Sequence, residues 1–210
     1  MKICVAIKNS HEPLFFKSLT SEIDSNDIFF TVKDYAEGPK LLKKYGINHK
    51  VIGKHYGGNT IQKLLGMIID SISYITLSPE FDVALHHGNE NIVHTCLIRS
   101  KKNICFLDNE INHLANKSYF FGIDHIIVPR SLSKRSLISD GMKSERIHTF
   151  NGLKEQIYIA DYVPEENFTR HFPFRNYILV LTPDGETLMN LNESHKKEYV
   201  DTMSSWDLND

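Results

Sequence analysis

Residues 2–32 read KICVAIKNSHEPLFFKSLTSEIDSNDIFFTV, and the order of textures in this stretch decides the fold. An apolar run over Lys2–Ile7 is followed by a helical stretch over Pro13–Ile23, opened by Pro13, and then by a second apolar run over Ile28–Val32. That is a strand–helix–strand unit with short links. Working outward, the unit repeats. Further strand-like runs fall at Lys50–Ile52, Val83–Leu85, Ile104–Leu107 and His125–Val128, separated by helical stretches at Ala36–Tyr45, Thr60–Leu77, Asn91–Ser100, Ile111–Phe120 and Lys134–Asp140. The longest helix places Ile61, Leu64, Leu65, Ile68, Ile72 and Ile75 at three-to-four-residue spacing, an apolar stripe one helical face wide. Such repetition specifies an α/β fold, a Rossmann-like doubly wound parallel sheet covered on both faces.

Beyond Asp140 the pattern changes. Arg146–Phe150 reads as a last strand, Asn151-Gly152 as a turn and Glu155–Ala160 as a short helix, after which Asp161–Pro173 is a proline-containing connector. Tyr177–Leu181 is another buried-strand pattern, followed by the turn Thr182-Pro183-Asp184-Gly185. The expected organisation is a Rossmann-like domain over 1–160, a connector over 161–176, and a tail or the opening of a second domain over 177–210.

Composition bounds the function. The chain has 210 residues, with Lys plus Arg 24 against Asp plus Glu 26, a near-neutral balance that argues against a basic nucleic-acid-binding arm. A hydrophobic share of 41% fits a globular chain and argues against extensive disorder. No apolar run approaches the roughly 20 residues of a membrane span. Cys4, Cys96 and Cys105 sit in apolar segments and read as buried thiols of a reducing cytoplasm, not as a disulfide framework or a metal site. From Thr182 onward, seven acidic residues face only Lys196 and Lys197, so the tail is acidic and the body mildly basic.

In a parallel sheet ligands gather at the carboxyl ends of the strands, so the loops after each strand carry the candidate chemistry. The first is Lys8-Asn9-Ser10-His11, which has no G-x-G-x-x-G dinucleotide fingerprint but ends at a helix start, where His11 can act as a base or donor. The third strand leads into Gly53-Lys54-His55-Tyr56-Gly57-Gly58-Asn59, whose glycines allow close backbone approach to a phosphate or sugar. After the fourth comes His86-His87-Gly88-Asn89-Glu90. Adjacent histidines on a strand point to opposite faces, so one belongs to the core and His87 to the cleft. The fifth opens onto Asp108-Asn109-Glu110-Ile111-Asn112-His113, the densest titratable cluster. A helix cap explains Asp108 or Asn109 but not every member of that cluster. After the last strand of the body comes Asn151-Gly152-Leu153-Lys154-Glu155. Zinc ligation by His55, His87 and His113 matches no standard spacing, and neither a metal nor a cofactor is expected.

Taken in order, these stretches resemble a family of uncharacterised prokaryotic proteins of glycosyltransferase-B-like type, a domain of unknown function. The matching segments are Asn9-Ser10-His11 with Leu14-Phe15-Phe16-Lys17, Thr31-Val32-Lys33-Asp34-Tyr35-Ala36, Tyr45-Gly46-Ile47, and Val51-Ile52-Gly53-Lys54-His55 with Gly57. Asp82-Val83-Ala84 with His87-Gly88, Asp108-Asn109-Glu110, and Phe150-Asn151-Gly152-Leu153-Lys154-Glu155 with Tyr158 complete the set. The resemblance covers roughly residues 1–181. It implies a fold related to the UDP-N-acetylglucosamine 2-epimerases, in which two Rossmann-like halves face a cleft. The amino half holds the acceptor and the catalytic base; the carboxyl half holds the nucleotide sugar. This chain looks like the amino-terminal half, short of the second. Epimerase relatives tend to carry Asp where Asn89 stands here.

The function this implies is glycosyltransferase-like. The chain is the acceptor-binding half acting on a nucleotide-sugar-derived glycosyl group, with His11, Asp108 and Glu110 as the catalytic candidates. Asn9, Lys54, His55, Gly57, Gly58, His87, Gly88, Asn89, His113, Asn151, Gly152, Lys154 and Glu155 are the expected substrate contacts. The expected partners are a nucleotide sugar, a sugar acceptor, and a second copy or a separate carboxyl-terminal half. The alternatives are a non-catalytic sugar- or partner-binding remnant and a nucleotide-sugar 2-epimerase-like half.

Overall fold

Ile3–Ile7 (β1) is buried at every position, as a central strand must be when helices cover both faces of its sheet. Its alternation divides the core. Ile3, Val5 and Ile7 pack with Phe15, Phe16, Phe30, Val32, Leu42 and Leu85; Cys4 and Ala6 pack with Ile52, Tyr74, Phe81, Ala84, Ile92 and Cys96. The computed structural model describes residues 1–24, 27–56, 60–109, 113–160 and 163. A compact unit spans Met1–Tyr162, while the expected strand at 177–181 and the acidic tail lie outside the described residues.

Within the unit, strands and helices alternate as the sequence predicts. After β1 come α1 (Glu12–Ser21), β2 (Ile28–Asp34), α2 (Gly38–Lys44), β3 (His49–Lys54), α3 (Thr60–Leu77), β4 (Val83–His86) and α4 (Glu90–Arg99). Then follow β5 (Lys102–Phe106), α5 (His113–Tyr119), β6 (His125–Pro129), α6 (Lys134–Ser139), β7 (Ile147–Phe150) and the single turn α7 (Gln156–Ile159). All pairings are parallel, and the strand order is β3-β2-β1-β4-β5-β6-β7. The order reverses between β1 and β4, which opens a crevice where the loops leaving their carboxyl ends diverge. Around β5 to β7, a further cluster of Val93, Cys105, Leu107, Tyr119, Phe120, Ile126 and Val128 closes the core.

The apolar stripe of α3 forms the predicted helix but faces outward in part: Leu65, Ile68 and Ile72 are about half exposed, at 55%, 48% and 55%. Asp70 and Tyr74 point inward instead, both fully buried. Asp70 is a clamp. Its Oδ2 lies 2.8 Å from Lys33 Nζ at the end of β2, and its Oδ1 accepts from the Lys54 backbone N–H at 3.2 Å. The carboxylate fits only because residue 53 is glycine: φ there is +81°, and a Cβ would stand 2.8 Å from the Asp70 carboxyl. Gly53→Ala is therefore expected to lower stability by about 1–2 kcal/mol from backbone conformation alone, and further by displacing Asp70, measured by urea unfolding.

All three cysteines are buried and free, and burial pushes each thiol up to about 12. The native chain is expected to leave a thiol reagent unconsumed at pH 8, and the urea-unfolded chain to consume three equivalents. Among the described residues no helix is long and apolar enough to cross a membrane.

Candidate functional site

Four strand ends deliver side chains to one cleft. The loop after β1 supplies Lys8, Asn9 and His11; the loop after β4 supplies His87 and Gly88; the loop after β5 supplies Asp108 and Asn109. Glu90, Leu107, Ala115, Asn116 and Tyr119 complete a lining around about 230 Å³. Lys154, after β7, reaches in to the same place: it ion-pairs with Asp108, and its Nζ lies 3.2 Å from His87 Nε2. His87 Nε2 is also 3.3 Å from Asp108 Oδ1. The His11 ring meets that of His87 edge-on, with centroids 5.3 Å apart.

Behind His11 sits Glu12, 1% exposed. Helix α1 starts at His11 without a side-chain cap, and the Glu12 carboxylate turns back to close the loop. The Lys8 backbone N–H donates to Oε2 at 2.7 Å, and Asn9 Nδ2 donates to Oε1 at 2.9 Å. Lys8 Nζ pairs with Glu90 at 2.7 Å while its charge also acts on Glu12, and Lys154 pairs with Asp108. His11, Glu12 and His87 place one donor atom each within 4.8 Å of one another, making them the set among the described residues that can approach a common proton or cation.

These surroundings set the charge states. Burial pushes Glu12 up to about 7, against the lowering effects of His87 and the two hydrogen bonds. Burial also pushes His11 down to about 4, reinforced by Lys154 and His87, so its imidazole is neutral at pH 7. The hydrogen bond from His87 holds Asp108 well below the usual carboxylate range, with Lys154 helping against the opposing effect of burial. For Glu90, burial works upward, but the Lys8 ammonium and its hydrogen bond outweigh it and keep the carboxyl low.

The structure separates the expected residues. Asn9, His11, His87, Gly88, Asp108 and Lys154 converge, and Glu155 is near enough for its charge to act on His11. The two adjacent histidines divide as predicted. His86 is fully buried, with Nδ1 accepting from the Asn89 N–H and Nε2 facing Asn103, while His87 turns to the cleft. Gly88 is required where it stands: φ is +58°, and a Cβ would come 3.1 Å from the Tyr119 hydroxyl. Lys54 and His55 lie at the end of β3, two strands from β1, and outside the cleft lining. There the His55 ring stacks on Tyr35 at 4.4 Å, and Lys54 lies over the Tyr56 ring. Asn89 is a buried helix cap, accepting from the Asn91 and Ile92 N–H groups. His113 is exposed and tied through Nδ1 to the buried Asp140 at 2.8 Å. Asn151 lines a separate apolar cavity, and Gly152 forms a turn at φ +111°. Gly57, Gly58 and Glu110 lie outside the described residues.

The sheet order and the carboxyl-end cleft define a Rossmann-like, doubly wound α/β domain. Over residues 1–204 the chain matches the family described as protein of unknown function DUF354, and it belongs to that family. No curated protein is matched. Among solved structures it is similar to Anabaena Alr3699/HepE in complex with UDP and glucose, with a TM-score of 0.52 and 11% identity, covering 72% of this chain and 44% of that one. It is also similar to a UDP-N-acetylglucosamine 2-epimerase, with a TM-score of 0.54 and 13% identity, covering 71% of this chain and 47% of that one. The chain thus matches less than half the length of either structure, and at these identities the likeness is one of fold.

Proposed function

We propose that the cleft is where a glycosyl group carried on a nucleotide meets an acceptor hydroxyl, this domain supplying the acceptor side of a glycosyltransferase-like reaction. The observation that carries the reading is the convergence of His11, His87, Asp108 and Lys154 from four strand ends on one opening at the sheet's switch point. HepE, whose structure holds UDP and glucose, shares the fold and lends support to the choice of ligand class.

In this reading the acceptor oxygen attacks the anomeric carbon. The bond from that carbon to the diphosphate oxygen breaks, and the nucleoside diphosphate leaves with the electron pair. The hydroxyl proton passes to the enzyme. Neutral His11 faces the opening and accepts the hydroxyl's hydrogen bond; Glu12, titrating near neutrality, is the matched proton acceptor behind it. Asp108, held anionic, keeps Lys154 and His87 in place rather than exchanging a proton. The Lys154 ammonium is the cation at hand for phosphate or sugar oxygens. Incubation with UDP-glucose and a panel of alcohol and sugar acceptors tests this: a glycoside product, reduced at least tenfold in His11→Ala, is expected. Free glucose, an epimerised nucleotide sugar, or no turnover contradicts transfer, and an epimerised product favours the epimerase-like alternative.

A further inference from the structure

Beside the polar cleft lies a second cavity of different character. It measures about 320 Å³, with walls formed by Phe15, Leu19, Phe106, Ile127, Phe150 and Ile157. It occupies the face of β5 to β7 between α1 and α7, and it shares Leu107 with the cleft and Lys154 with the cleft's ion pair. The space opens to solvent on one side, and an apolar concave surface of this kind takes up apolar molecules; even an enclosed cavity of about 150 Å³ accepts benzene. This one is about twice that size, enough for a fused bicyclic ring or an alkyl chain of comparable bulk.

We infer that this cavity binds the apolar portion of a small-molecule acceptor, so that the preferred substrates are alcohols or phosphates carrying an aromatic or alkyl group rather than free sugars. The inference rests on the proposed function for the word acceptor, but the binding site stands on its own geometry. The junction argues for a ligand that spans both spaces. Lys154 stands at the boundary with its ammonium directed to Asp108 and His87, while its neighbours Leu153 and Ile157 belong to the apolar wall. A ligand seated there by its ring therefore presents a polar substituent to the cation and, beyond it, to His11. A largely apolar pocket with a few convergent polar groups at one end is the usual form of a small-molecule site.

The test uses calorimetric titration of the full chain with 1-naphthol, 1-naphthyl phosphate and glucose, without any nucleotide sugar. One saturable site for 1-naphthol and none for glucose is expected. Leu19→Trp, which fills the cavity from α1, should weaken 1-naphthol binding at least tenfold, and Ile157→Trp does the same from α7 should the first variant fail to fold. Lys154→Met, which removes the cation at the cavity's end, should weaken 1-naphthyl phosphate at least tenfold more than it weakens 1-naphthol. No binding of 1-naphthol, or equal binding in both tryptophan variants, overturns the inference; the latter places the probe elsewhere, and the former includes the case in which a segment of the chain itself occupies the space. Because no nucleotide sugar is present, a failure of glycosyl transfer leaves this result untouched, and the reverse also holds.

Discussion

Glu12→Gln is expected to lower glycosyl transfer by 10²- to 10⁴-fold, the range a positioned proton acceptor contributes. In the wild type, the rate at limiting substrate should fall about tenfold per pH unit below about 7 as Glu12 takes up its proton. The residual activity of Glu12→Gln should lack that limb. The same substitution should remove the pH-dependent cost of burying the Glu12 carboxylate, although Gln keeps only one of the two acceptors that Lys8 N–H and Asn9 Nδ2 use. A carboxyl raised from 4.5 to about 7 binds its proton more tightly when folded, so its stabilisation is complete below pH 4.5 and is lost as pH rises to about 7. The loss corresponds to about 3 kcal/mol at about 1.4 kcal/mol per pH unit. The wild-type curve alone does not isolate this effect, because His11 and His86, both lowered to about 4, gain stability with pH between about 4 and 6.5. The difference between the two proteins does: Glu12→Gln minus wild type should grow in favour of the variant from pH 4.5 to 7.5, read by urea unfolding. A flat difference contradicts a burial-raised Glu12.

Asp108→Ala carries the second large effect. It removes the anion from a Lys154 side chain that is 8% exposed and takes a hydrogen-bond partner from His87, itself 8% exposed. Stranding a buried charge in this way costs about 3–5 kcal/mol, whereas replacing both partners is far milder. Asp108→Ala should therefore be strongly destabilised in urea unfolding, and adding Lys154→Met should recover more than half of the loss. Transfer should stay absent in the double variant, since the cation goes with the pair. Recovery of activity with stability would assign Lys154 a purely structural role.

The alternation of strands and helices was legible in the sequence because parallel strands buried on both faces must be apolar throughout, as Ile3–Ile7 is. Strand alternation anticipated the division between His86 and His87, although β4 ends at the buried His86 and His87 opens the following loop. Which loops converge was harder. Five of the seven strand-end loops carry candidate residues, but the strand order brings the β1, β4 and β5 loops around one opening and leaves Lys54 and His55 on the far side of β2. Asn89 stood at a position that a helix cap explains, and the cap is what it is. Glu12 was missed because an acidic residue in a first helical turn is favoured by the helix dipole regardless of function. Only the donors aimed at it, the Lys8 N–H and Asn9 Nδ2, show that it turns inward. The remaining partnerships, Lys8 with Glu90 across 82 residues and His113 with Asp140 across 27, depend on tertiary register that no local pattern encodes.

The most direct measurement is a histidine-selective imidazole NMR spectrum of the chain at pH 7.5 as UDP-glucose is added. The His11 and His87 resonances should shift together and saturably, while those of His55 beyond β2, and of His125 on β6 and His148 on β7, whose rings meet each other outside the cleft lining, stay in place. Unmoved His11 and His87 signals, or shifts confined to the other three, would show that the convergence of strand ends around this cleft is not a nucleotide-sugar site.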